Sequence, residues 1–114
     1  MITLLLVDDE NLIRQGLKAL LELEADLQVV GEAENGQIAI ECVAKLQPNV
    51  VLMDIRMPIM DGVTATKEIC QQFPNVNILV LTTFDDDTYV AAAIKYGAKG
   101  YLLKDTPSEE IAAA

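Results

Sequence analysis

Apolar residues follow one another without alternation in Leu4-Leu5-Leu6-Val7, Val50-Val51-Leu52-Met53 and Ile78-Leu79-Val80-Leu81. A strand wet on one side alternates, so unbroken runs of this length predict strands covered on both faces, as in a parallel sheet. Val29-Val30 and Tyr101-Leu102-Leu103 are shorter candidates. Between the runs, apolar residues recur at helical spacing: Ile13, Leu17, Leu20 and Leu21; Ala39, Cys42, Val43 and Leu46; Thr66, Ile69, Cys70 and Phe73; Val90, Ala93, Ile94 and Gly97. The punctuation agrees. Asn35, Asp61 and Asp86 are predicted helix caps, Gly97 a helix end, and Thr106-Pro107-Ser108-Glu109 a capping box with Pro at the first helical position. The tail Ser108 to Ala114 starts a helix without ending it, so the last helix is expected to be truncated.

Strict βα alternation predicts an α/β domain over residues 1–114: a doubly wound five-stranded parallel sheet with helices on both faces. Ligands of such sheets gather beyond the carboxyl ends of the strands. The residues there are Asp8 and Asp9 after the first strand, Asp54 after the third, Thr82 and Thr83 after the fourth, and Lys104 after the fifth.

Charge narrows the choice of partner. With a net charge of -10 and only eight Lys plus Arg in 114 residues, this segment repels nucleic acid and anionic membranes. The acids concentrate in Asp8-Asp9-Glu10, Asp54, Asp61 and Asp85-Asp86-Asp87, the last a solvated helix start that suits the helix dipole. Cys42 and Cys70 lack metal-ligand spacing and the chain has no His, which predicts two buried reduced thiols and no zinc site. No run reaches membrane-spanning length and no signal peptide opens the chain, so a cytoplasmic location is expected.

Carboxylates about 4 Å apart repel one another by a few kcal/mol at intermediate dielectric, and a hard divalent cation relieves this. Mg²⁺ also binds phosphate oxygens, and an Asp can attack a phosphoryl group to form an acyl phosphate. The remaining task is to position and neutralise three equatorial oxygens. Mg²⁺, the Lys104 ammonium and the Thr82 hydroxyl with nearby backbone N–H groups are able to do so, and no general base is needed.

The motifs Leu6-Val7-Asp8-Asp9, Met53-Asp54, Met57-Pro58, Met60-Asp61-Gly62, Leu81-Thr82 and Gly97-Ala98-Lys99-Gly100-Tyr101-Leu102-Leu103-Lys104 stand in the order and spacing of one family. The chain resembles a response-regulator receiver domain from Ile2 to its last residue. The resemblance implies a flavodoxin-like (CheY-like) fold with strand order 2-1-3-4-5. It implies that Asp54 is the phosphoacceptor, taking its phosphoryl group from a sensor histidine kinase. Mg²⁺ would be held directly by Asp9, Asp54 and the Arg56 backbone carbonyl, and by Asp8 through water. Lys104, Thr82 and Thr83 would contact the phosphoryl group, Thr82 and Tyr101 would form the switch pair, and Arg56 and Phe84 would tune the lifetime of the phosphorylated state.

Gly16-Leu17, Val29-Val30-Gly31-Glu32-Ala33, Asn35-Gly36, Asp61-Gly62-Val63, Leu81-Thr82-Thr83-Phe84 and Tyr101-Leu102-Leu103-Lys104-Asp105 resemble the NarL/LuxR-type receivers. That subgroup implies a following helix-turn-helix DNA-binding output domain, transcriptional control, and a homodimer on phosphorylation. Two other functions compete. One is a phosphorylation-independent interaction module, against which all the key positions are occupied. The other is an aspartyl-phosphate phosphohydrolase, against which Asp54-Ile55-Arg56 lacks a second Asp as acid catalyst. Flavin or dinucleotide binding fails for want of a Gly-rich loop after the first strand.

Overall fold

The unbroken apolar runs form the centre of a parallel sheet in the computed structural model, which describes residues 2–55, 57–82 and 87–103. The elements are β1 (Ile2–Val7), α1 (Asn11–Leu21), β2 (Leu27–Ala33), α2 (Gly36–Leu46), β3 (Val50–Asp54), α3 (Gly62–Gln72), β4 (Asn77–Thr82), α4 (Asp87–Lys95) and β5 (Gly100–Leu103). The strand order is β2-β1-β3-β4-β5, with every pairing parallel. The expected doubly wound topology is therefore present. Arg56, Thr83, Phe84, Lys104, the Asp86 cap and the 106–109 capping box lie outside the described residues.

Because β1, β3 and β4 are covered on both faces, each contributes alternate residues to two cores. Leu5, Val7, Val51, Met53, Ile78 and Val80 pack with Ala39 and Val43 of α2, Ala65 and Ile69 of α3, and Val90 and Ala93 of α4. Leu4, Leu6, Leu52 and Leu81 point the other way and pack with Leu21 of α1 and Leu27 of β2. Each fully buried aliphatic side chain contributes roughly 1.5–3 kcal/mol relative to exposure, so the three central strands are the strongest part of the fold.

The caps form where the sequence places them within the described residues. The Ile38 N–H donates to Asn35 Oδ1 at 2.9 Å, and the Thr64 N–H donates to Asp61 Oδ1 at 2.7 Å. Gly97, at φ +122, turns the chain out of α4, with its N–H on Ile94 O and the Ala98 N–H on Ala93 O.

Three details differ from the sequence expectation. Leu20, Leu46 and Ile94 are 51%, 44% and 45% exposed, because each stands at the margin of a helical stripe whose centre, at Leu21, Val43 and Ala93, is buried. Cys42 and Cys70 are half-buried rather than buried. The second strand is longer than Val29-Val30, running from Leu27 to Ala33, and its pairing with β1 slips by one residue: Leu4 pairs with Val29 but Leu5 with Gly31.

Candidate functional site

Strand register assembles the site. Val7 pairs with Met53, so the next residues, Asp8 and Asp54, leave neighbouring strands side by side. Asp54 pairs in turn with Leu81, which puts Thr82 one position further along β4. All three lie at the carboxyl edge and are nearly sealed from solvent, with Asp8 1%, Asp54 6% and Thr82 2% exposed. Burying two carboxylates and a hydroxyl at one edge opposes the hydrophobic effect, so the arrangement points to a polar ligand.

The β1–α1 loop is held atom by atom. The Asp8 N–H donates to Ala33 O at 3.0 Å, and the Glu10 N–H donates to Asp8 Oδ1 at 2.9 Å. The Asp8 carbonyl accepts a 2.6 Å hydrogen bond from Arg14 Nη1. Asp8, Asp9 and Glu10 each offer a carboxylate oxygen within 4.8 Å of the others, with Asp8 buried and its two neighbours exposed. Glu10 is thus a member of the acid group that the expected ligand set omits, and Asp54 is not one of the three. The signal for Glu10 is local: it occupies the N-cap position of α1 yet makes no side-chain capping bond, which leaves its carboxylate to the loop.

On the other side of Asp54, the loop to α3 is braced from two directions. The Gly62 N–H donates to Ile55 O at 2.7 Å, and the Gly36 N–H at the start of α2 donates to Met60 O at 2.9 Å. Gly62 packs so closely on the Asp54 carbonyl that no Cβ fits between them. Ile59 takes up the turn with φ +69 and is 84% exposed.

Tyr101 lies on the edge strand β5, opposite Val80, with its side chain 54% exposed. Thr82 pairs with Leu103, the residue before Lys104 in sequence. Of the expected site residues, the register therefore sets Asp8, Asp54 and Thr82 at neighbouring strand ends, places the Asp9 carboxylate beside those of Asp8 and Glu10, and sets Tyr101 two positions back along the sheet edge. Arg56, Thr83, Phe84 and Lys104 fall outside the described residues.

The donor set fits a hard divalent cation. It is oxygen-only, anionic and partly solvated, and neither thiol belongs to it. A buried acid pair beside an exposed carboxylate group thus stands at the carboxyl edge of a doubly wound sheet ordered β2-β1-β3-β4-β5, the edge at which ligands of such sheets bind.

Comparison with known proteins agrees. The response regulator receiver domain family matches residues 4–114. The transcriptional regulatory protein LnrK of Bacillus subtilis is 46% identical over 114 residues, covering all of this chain and 52% of that protein. LiaR of the same organism is also 46% identical over 114 residues, with 54% of that protein covered. Among solved structures, the signal receiver domain of the response regulator NarL from Mycobacterium tuberculosis superposes with a TM-score of 0.91 at 34% identity, covering 98% of this chain and 90% of that one. A LuxR-family DNA-binding response regulator from Staphylococcus aureus gives 0.91 at 30% identity, with 99% and 94% covered. The chain belongs to the response-regulator receiver family, and its relatives are transcriptional response regulators of the NarL/LuxR type. It spans about half the length of the relatives LnrK and LiaR. No helix among the described residues is long and apolar enough to cross a membrane.

Proposed function

We propose that this domain accepts a phosphoryl group on Asp54 from a phosphohistidine of a sensor histidine kinase, and that the phosphorylated state redirects a C-terminal DNA-binding output domain to control transcription. The observation that carries this reading is the register that sets buried Asp54 between buried Asp8 and buried Thr82 at the carboxyl edge. A carboxylate oxygen of Asp54 attacks phosphorus, a P–O bond forms, and the P–N bond breaks with its electron pair returning to the imidazole nitrogen.

Mg²⁺, when bound, neutralises the carboxylates and the charge on the transferring oxygens. Asp9 and Asp54 would hold it directly, with the Arg56 carbonyl as a further ligand and Asp8 through water; Glu10 belongs to the same acid group and adds to its negative field. Thr82 and Thr83 would donate to the phosphoryl oxygens, and Lys104 would pair with one of them. Arg56 and Phe84 would control water access and so the lifetime of the acyl phosphate.

Tyr101, now half outside, would turn inward as the Thr82 hydroxyl moves toward the phosphoryl group. The face formed by α4 and β5 would then exchange partners, with homodimerisation as one readout. This is a population shift driven by differential contacts. The net charge of -10 supports an output domain, rather than this one, as the part that meets DNA.

Intact mass after incubation with acetyl phosphate tests the chemistry. One added phosphoryl group is expected, requiring both divalent cation and Asp54, and absent in Asp54→Asn. Modification that persists in Asp54→Asn would assign the phosphoryl group elsewhere.

A further inference from the structure

Arg14 is an α1 residue with a part-buried side chain that joins three separate pieces of the fold. Its Nη1 donates to the Asp8 carbonyl at 2.6 Å, its Nη2 to Asn11 Oδ1 at 2.9 Å, and its Nε to Glu32 Oε1 of β2 at 3.0 Å. Its side chain is only 13% exposed and that of Glu32 23%, so the pair is shielded more than a surface salt bridge. Glu32 also accepts from Gln15 Nε2 at 2.8 Å and lies 3.7 Å from Lys18 Nζ, which fixes the carboxylate that fixes the guanidinium.

The placement is informative because a cation here has two opposed effects. Unneutralised, a guanidinium one hydrogen bond from Asp8 would repel any divalent ion bound by the neighbouring acids. As a rigid fork, it orients the peptide from which the Asp8 and Asp9 carboxylates diverge. The Glu32 partner, shared with Lys18, offsets part of the first effect and preserves the second. A Lys would supply the charge without the planar geometry that spans three acceptors at once.

We infer that Arg14 is a positioning residue for cation binding: with Glu32 as counter-charge it holds the Asp8–Asp9 peptide in the orientation that lets the acid group converge on a divalent ion. The inference rests on the metal-binding part of the proposed function and deepens it. Arg14 touches neither the ion nor the phosphoryl group; it acts through the Asp8 carbonyl.

The test is Mg²⁺ titration of the ¹⁵N-labelled chain, followed by the amide shifts of residues 8–10, at low and at high salt, with thermal unfolding measured in parallel. Arg14→Lys and Arg14→Met should each bind Mg²⁺ about tenfold more weakly than wild type at both salt concentrations, the range expected when the support of a metal ligand is removed. Glu32→Gln should weaken binding at low salt and recover at high salt, where the repulsion left between Arg14 and an ion at the exposed Asp9 and Glu10 carboxylates is screened. Arg14→Lys binding as tightly as wild type overturns the inference while leaving the proposed function intact, as does a lowered melting temperature with unchanged Mg²⁺ affinity. A Glu32→Gln defect that survives high salt overturns the counter-charge assignment. Wild type that binds no Mg²⁺ removes the metal-binding reading and this inference together.

Discussion

Gly62 sits directly on the main-chain carbonyl of Asp54, so the first residue of α3 and the last residue of β3 share a contact that only a residue without a side chain allows. Gly62→Ala gains about 1 kcal/mol of helix propensity. That gain is outweighed because the colliding atom is backbone, which cannot rotate aside, so the overpacking cost falls in the upper part of the usual range, about 2–3 kcal/mol. A net destabilisation of about 1–2 kcal/mol is expected in urea unfolding, together with slower phosphorylation as Asp54 is displaced. Unchanged stability would mean that the α3 terminus shifts freely, and that the contact does not position Asp54.

The acid group sets a stability difference between the empty and cation-bound domain. Asp8, Asp9 and Glu10 crowd their oxygens within 4.8 Å, so Mg²⁺ should raise the melting temperature. Saturation at a hundredfold above Kd corresponds to about 2.7 kcal/mol. Asp9 is exposed, so Asp9→Asn removes repulsion without opening a cavity. The variant should be as stable as wild type or slightly more so without Mg²⁺, and should lose the Mg²⁺-dependent increment. Retention of the full increment would place the cation away from Asp9.

Ile59 holds φ +69 while 84% exposed, so it bears the left-handed backbone without the compensation of burial. A side chain in that region costs roughly 1–2 kcal/mol, more than the roughly 0.5–1 kcal/mol by which Gly loosens the unfolded chain. Ile59→Gly should therefore stabilise the domain by up to about 1 kcal/mol in chemical denaturation. A loss of stability would show that the Ile59 side chain makes contacts stronger than the strain.

Both thiols titrate above the ordinary value of 9.0, Cys42 through burial and then the Glu41 charge, Cys70 through burial, with Lys45 and Lys99 opposing weakly. The fold thus favours the neutral thiol. Its contribution is complete below the unfolded-state value and declines as pH rises through the folded-state value. The difference in urea midpoint between wild type and the Cys42→Ala, Cys70→Ala variant should be constant at neutral pH and shrink above pH 9.0. Growth of that difference with pH would reverse the assignment.

Much of this fold is legible in the sequence because its strongest elements carry their own signals. β1, β3 and β4 are apolar runs buried on both faces, and Asn35 and Asp61 start their helices and Gly97 ends its own by chemistry that does not depend on the rest of the chain. Asp8, Asp54 and Thr82 are found by the same logic, since a residue that follows a buried strand must emerge at the sheet edge. Arg14 is different. Its partners lie at Asp8, Asn11 and Glu32, and the Glu32 contact exists only once β2 has docked beside β1. Residue type alone also misjudges Leu20, Leu46 and Ile94, which are apolar yet stand at the exposed margins of their helical stripes.

The one-residue slip between β1 and β2 has a meaning for chain length. Leu27 and Val29 face α1 with Leu4 and Leu6, and strict alternation would carry that face on to Gly31 and Ala33. The slip at Val30 inverts the parity, so that Glu32 faces α1 and meets Arg14 while Ala33 joins the core beneath α2. An edge strand is ordinarily the place where a family gains or loses a residue with least harm. Here the loss of Val30 would only erase the slip, leaving Leu6 opposite Glu32 and Val7 opposite Ala33. A single insertion between Gly31 and Glu32, by contrast, would exchange those two faces, driving a carboxylate among Ala39 and Val43 and stripping the guanidinium of its partner; the residue count beyond the slip is therefore constrained by charge.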